Sequence, residues 1–96
     1  MIRKKAEPVS DVLMTLLRQQ GLEGPLNEYR LIQAWTVVLG RPVERYTRYL
    51  RIENQTLCVR LSSPALRNEL MMQRTQLVQR LNAEVGAQVI TDIRFV

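Results

Sequence analysis

The chain has 96 residues, 46% hydrophobic and 24% charged, enough for one domain with a real core and too few for two. That balance excludes wholesale disorder. The net charge of +5 and pI near 10.1 favour an acidic partner, either nucleic acid or an acidic protein face.

Residues 1–7 are predicted as a short, flexible basic arm carrying Arg3, Lys4 and Lys5. The domain proper is expected over residues 8–96. After Pro8, the apolar residues Val9, Val12, Leu13, Leu16 and Leu17 follow helical spacing, and Gly21 supplies a stop. Pro25 opens a second helix near its first position, where a missing N–H costs little. Leu26, Tyr29, Ile32, Trp35 and Leu39 give this helix its expected buried stripe, and Gly40 ends it. Pro42 starts one further helical turn through Val43 and Arg45.

The period then drops to two. Leu50 and Ile52 alternate with Tyr49, Arg51 and Glu53, and Leu57, Val59 and Leu61 alternate with Cys58, Arg60 and Ser62. Two strands joined by a turn near Asn54-Gln55 follow, each with one apolar face. Ser63-Pro64 caps and launches a long third helix lined by Leu66, Leu70, Leu77 and Leu81, with Met71 and Met72 as core filler. Gly86 closes it, and Val89, Thr91, Ile93 and Phe95 form a last strand. The order α-α-β-β-α-β implies an α+β two-layer sandwich, a three-stranded sheet with the helices on one face and the other face open.

Catalytic chemistry has little to work with. The chain has no histidine, which removes the usual general base and the commonest metal ligand. Cys58 is the single cysteine, so it has no partner for a disulfide or a zinc site and suits a reducing, cytoplasmic setting. No nucleotide-binding loop is present. An early secretory signal is interrupted by Glu7, Ser10 and Asp11, and no apolar run approaches the roughly 20 residues that cross a bilayer. A soluble binding protein with no cofactor, metal, membrane or small-molecule substrate is expected.

Only two of the 14 basic residues, Lys4 and Lys5, are lysines. Arginine offers a planar fork of donors matched to phosphate and carboxylate. The period-2 pattern puts Arg51 and Arg60 beside Tyr49 on the open sheet face, where a phosphate can dock and Tyr49 can stack on a base. The bland alternative is a solvated polar face balanced by nearby carboxylates. Arg41, Arg45 and Arg48 cluster just before it, with Tyr46 among them. The Arg3-Lys4-Lys5 arm is a second cationic element. Trp35, the sole tryptophan, suits core packing by default and an interface anchor if it lies at the helix edge. Gly21-Leu22-Glu23-Gly24 matches the GxxG with which KH domains clamp a nucleic-acid backbone; a plain helix–helix linker explains it better, since Glu23 repels phosphate.

Trp35 followed by Val37-Val38-Leu39-Gly40, then Thr47, Leu57-Cys58-Val59, Ser62-Ser63-Pro64-Ala65, Leu70, Leu81-Asn82 and Asp92-Ile93-Arg94-Phe95 together resemble the DciA family of bacterial replicative-helicase operators. The resemblance runs from about Pro8 to Phe95. It implies a KH-like fold and a non-enzymatic factor that binds the DnaB-type replicative helicase and single-stranded or forked DNA and promotes helicase loading. On that reading Trp35, Arg41, Arg45, Tyr46 and Arg48 hold the helicase. DNA contact falls to Arg3, Lys4, Lys5, Tyr49, Arg51 and Arg60. Many relatives carry histidine where Tyr46 stands and tryptophan where Leu66 stands, and longer members add a basic, flexible extension. With Val96 as the last residue, DNA contact is expected from the arm or the folded surface. The alternative is a KH-like RNA-binding module acting on ribosomes or transcripts; a scaffold that binds only protein is a third possibility.

Overall fold

The computed structural model describes residues 11–96; the arm with Arg3, Lys4 and Lys5 lies outside them. The described elements are α1 (Asp11–Gln19), α2 (Glu23–Leu39), α3 (Arg41–Tyr46), β1 (Thr47–Glu53), β2 (Thr56–Leu61), α4 (Pro64–Met72), α5 (Arg74–Val85) and β3 (Asp92–Phe95). The α+β architecture is as expected and is consistent with a KH-like fold, with one more break in the helices than the periodicity suggests.

Gly21, in the left-handed region at φ 74°, stops α1, and its N–H donates to the Arg18 carbonyl at 3.1 Å. Helix α2 begins at once, so Gly24 and Pro25 sit in its first turn, where backbone N–H groups lack intrahelical acceptors anyway. The GxxG stretch is therefore half helical. Its Glu23 is ion-paired with Arg18 at 2.9 Å. Helix α1 leans on α2 and leaves Val12, Leu13 and Leu16 exposed.

The buried stripe of α2 is rotated from the expected one. Leu31, Ala34 and Trp35 face the core, while Tyr29 faces water. Spacings of three and one place 31, 34 and 35 on one side, and Tyr29 falls nearly opposite that side at 100° per residue. Gly40, at φ 88°, turns the chain sharply from α2 into α3. Its N–H donates to the Thr36 carbonyl at 2.7 Å.

Strands β1 and β2 pair antiparallel through a two-residue turn in which Asn54 and Gln55 have φ of 50° and 62°. Positive φ at both positions is what a twist-compatible hairpin turn needs. Strand β2 is central, and β3 lies parallel to it on the far side. A parallel neighbour requires a crossover, which α4 and α5 supply. Ser63 caps α4, its Oγ accepting from the Leu66 N–H at 3.2 Å.

The single long third helix is corrected to two. The chain breaks at Gln73, whose N–H turns to the Leu70 and Met71 carbonyls in place of one a full helical turn back. Residues 71–76 are all exposed, so no buried side chain holds a straight axis between Leu70 and Leu77. Met71 and Met72 are accordingly not core filler; Met72 is 83% exposed. The last strand is also shorter than the expected run from Val89. The Asn82 side chain takes the place of a neighbouring strand there. Its Oδ1 accepts from the Val89 and Ile90 N–H groups at 3.0 and 3.1 Å, and its Nδ2 donates to the Ile90 carbonyl at 2.9 Å. That clamp shifts the phase, so Ile90 and not Val89 enters the core.

The core lies between the helices and one sheet face. Leu57, Val59 and Ile93 meet Leu31, Trp35, Leu70, Leu77 and Leu81, with Leu50, Ile52 and Phe95 at its margin. The other sheet face carries the polar half of each strand.

Candidate nucleic-acid interface

Strand register lays the open face out in rows that cross the sheet. Glu53, Thr56 and Asp92 form the row nearest the hairpin; Arg51, Cys58 and Arg94 form the next; Tyr49 and Arg60 form the third. The face therefore runs from acidic at the hairpin, through paired arginines, to an aromatic–cation pair.

The contacts follow the rows. Arg51 Nη1 donates to the Tyr49 hydroxyl at 3.2 Å, and Arg51 Nη2 lies 2.6 Å from Glu53 Oε2. Arg94 leans across β2, its Nη2 3.3 Å from Cys58 Sγ and 3.8 Å from Glu53 Oε1. Arg60 sits over the Tyr49 ring, 6.0 Å from its centroid, at the outer limit of a cation–π contact. It has no carboxylate partner among the described residues. The Tyr49 hydroxyl, then Glu53, raise the Arg51 pKa; the Cys58 thiol, then Glu53, raise that of Arg94. Both guanidiniums, always charged in proteins anyway, are held more firmly so. Asp92 is turned outward to Arg74 at 3.2 Å.

Tyr49, Arg51 and Arg60 thus come together on one exposed surface, as the alternation predicts. Sequence reasoning missed Arg94 as a member. The same alternation in Asp92-Ile93-Arg94-Phe95 signals its side; its neighbour across the sheet is a matter of register. Cys58 belongs to this open side yet is only 4% exposed, because the Arg94 guanidinium lies against it.

The partner-binding residues separate. Arg41, Arg45, Tyr46 and Arg48 are exposed at the α3–β1 corner. Trp35 is set apart from them, fully buried as its default core role expects, with its ring backing the groove beside the corner. Its Nε1 donates to Thr47 Oγ1 at 3.0 Å, and that hydroxyl donates in turn to the Val43 carbonyl at 2.8 Å. The indole thereby ties α2 to the α3–β1 corner from within. A bulge between Thr47 and Tyr49 leaves Arg48 out of the register, and its Nη1 donates to the Arg45 carbonyl at 2.8 Å. Beside it an open groove of ≈ 600 Å³ runs between α2 and β1, lined by Ile32, Gln33, Val37, Glu44, Arg48 and Leu50 among others. Val37 stands 60% exposed on its wall.

Among the described residues, no group of three or more His, Cys, Asp or Glu is placed to hold a metal ion, and no helix is long and apolar enough to cross a membrane. The family model described as "Dna[CI] antecedent, DciA" matches residues 8–95. A UPF0232 protein of Mycolicibacterium paratuberculosis is 25% identical over 88 residues, which cover 92% of this chain and 49% of that protein. The chain thus spans about half the length of the curated relative it matches.

Proposed function

The chain belongs to the DciA family, and from that premise we propose that it is a non-enzymatic replication accessory factor that binds a DnaB-type helicase and DNA and promotes helicase loading. The observation that carries the DNA half is the open face on which Arg51, Arg60 and Arg94 gather beside Tyr49. Guanidinium forks suit backbone phosphates, and an exposed ring suits unstacked bases. Single-stranded or forked DNA is the matching ligand, because a flat face with one aromatic ring has no element that enters a duplex groove. The helicase is held at the α3–β1 corner by Arg41, Arg45, Tyr46 and Arg48, beside the groove that Val37 borders. Trp35 supports that corner from inside. ATP hydrolysis is left to the helicase, and the factor works in the cytoplasm.

The arm, with Arg3, Lys4 and Lys5, adds a second cationic element to the DNA contact. The RNA-binding alternative rests on the GxxG between two helices and the high pI; the pairing of Glu23 with Arg18 speaks for the DNA reading over it only in that this GxxG carries a carboxylate.

Two measurements test the proposal. The cognate replicative helicase should be retained by the tagged chain at low salt, and fluorescence anisotropy should show binding of oligo(dT) with affinity falling as salt rises, about 0.7 log units per tenfold salt for each neutralised phosphate. No retention of the helicase would remove the loading role.

A further inference from the structure

One carboxylate holds two of the three arginines on the open face. Glu53 stands 2.6 Å from Arg51 on its own strand and 3.8 Å from Arg94, which comes from the opposite edge of the sheet and crosses β2 to reach it. Two guanidiniums converging on one anion from separate strands is the arrangement with which a protein grips a phosphate. We propose that Glu53 occupies the position of a backbone phosphate, and that single-stranded nucleic acid binds this face by displacing the carboxylate from between Arg51 and Arg94. This inference rests on the reading of the open face as the nucleic-acid surface.

Three observations support displacement over a permanent ion pair. First, the side chains of Arg51, Arg94 and Glu53 are 59%, 62% and 42% exposed, and ion pairs this open to water are weak and easily exchanged. Second, the two guanidiniums have anchors other than Glu53. Arg51 keeps its hydrogen bond to the Tyr49 hydroxyl, and Arg94 keeps its contact with Cys58 Sγ. The cradle therefore persists when the carboxylate swings out. Third, the Glu53 side chain has no polar partner among the described residues except these two arginines, and it lies at the end of β1 beside the hairpin turn, so its departure breaks no part of the fold.

A strand seated in this way runs along the two basic rows, with one phosphate between Arg51 and Arg94 and the next contact at Arg60 and Tyr49. Adjacent strands of a sheet lie about 4.8 Å apart, so the backbones of Arg51 and Arg94 stand roughly 10 Å apart, and the long side chains close that span on a single anion. Glu53 then sets a threshold. A weak or isolated anion does not displace a tethered carboxylate, whereas a polymer that also engages Arg60 and Tyr49 does. The device keeps a strongly basic domain from gripping stray phosphates.

The test is anisotropy with fluorescein-labelled oligo(dT), using the full chain and four variants. Glu53→Gln should bind about fivefold more tightly, the factor expected for removing one unit charge some 4 Å from a phosphate in water. Glu69→Gln makes the same change in net charge on the helical side and should shift affinity less than twofold. The Arg51→Ala/Arg94→Ala double variant should bind more weakly, with a salt slope flatter by about 0.7, the value for the one phosphate the pair neutralises. Adding Glu53→Gln to that double variant should gain little, since the coupling is lost with the arginines. If Glu53→Gln binds no better than the parent while the double variant binds worse, the face is the nucleic-acid site but Glu53 merely positions its arginines, and the inference falls alone. If the double variant binds as the parent does, the reading of the face fails and the inference with it.

Discussion

Arg51 and Arg94 on the open sheet face and Arg41, Arg45 and Arg48 at the α3–β1 corner are the same side chain in two different settings. On the face, each guanidinium is restrained by a hydroxyl or a thiol and by the shared carboxylate, within its own strand for Arg51 and across strands for Arg94, and the surface between them is flat. At the corner Arg41 and Arg45 have no side-chain partner among the described residues, Arg48 is tied only to a backbone carbonyl, and the ground beside them is a groove in which Ile32, Val37 and Leu50 alternate with Gln33, Thr36 and Glu44. Restrained forks on a flat surface suit a repeating, uniformly charged backbone. Loose cations around a concave groove of mixed lining suit a protein surface, where burial of Val37 and Leu50 adds to charge pairing. The difference teaches that arginine count alone does not locate a binding site; what holds each arginine does.

That comparison can be broken at its hinge. Trp35→Ala should cost about 3–5 kcal/mol of folding stability in chemical denaturation and lower both activities together, because the indole joins α2 to the corner. A variant that folded normally yet lost only helicase retention would return Trp35 to the interface. Next in size, Arg51→Ala/Arg60→Ala/Arg94→Ala should weaken oligo(dT) binding on the order of a hundredfold, three solvent-exposed charge contacts of about 1 kcal/mol each being removed, and leave helicase retention unchanged. The converse variant, Arg41→Ala/Arg45→Ala/Arg48→Ala, should lower helicase affinity roughly tenfold, measured by surface plasmon resonance, with the oligo(dT) salt slope unaltered. Equal losses of both ligands in both variants would merge the two regions into one surface. The smallest effect is expected for Thr47→Val. It leaves the buried Trp35 Nε1 without an acceptor and should cost about 1–2 kcal/mol in thermal or chemical unfolding, with binding intact below the transition.

Much of this surface was legible in the residues themselves. Strand alternation has a period of two, so Tyr49, Arg51 and Arg60 are assigned to one face without reference to anything distant. Helical faces are less secure. The stripe of α2 turned out to be Leu31, Ala34 and Trp35 because these meet Leu77 and Leu81 of another helix, and an isolated pattern that includes Tyr29 and Ile32 is nearly as apolar. The break at Gln73 carries no glycine or proline to announce it. Asn82 reads as an ordinary helical residue until its side chain is found paired with the backbone of Val89 and Ile90.

Local chemistry by itself determined the order of helices and strands apart from the break at Gln73, the hairpin at Asn54-Gln55 and the polar face of each strand. Those properties depend on residues close together in the chain. Only the tertiary structure decided that Arg94 lies beside Cys58 in the row of Arg51 and shares Glu53 with it. The parallel register of β2 and β3 is set across a crossover of two helices packed on a common core, and no local period encodes that pairing. The burial of Trp35 was decided in the same way, by what α5 and the sheet place against α2.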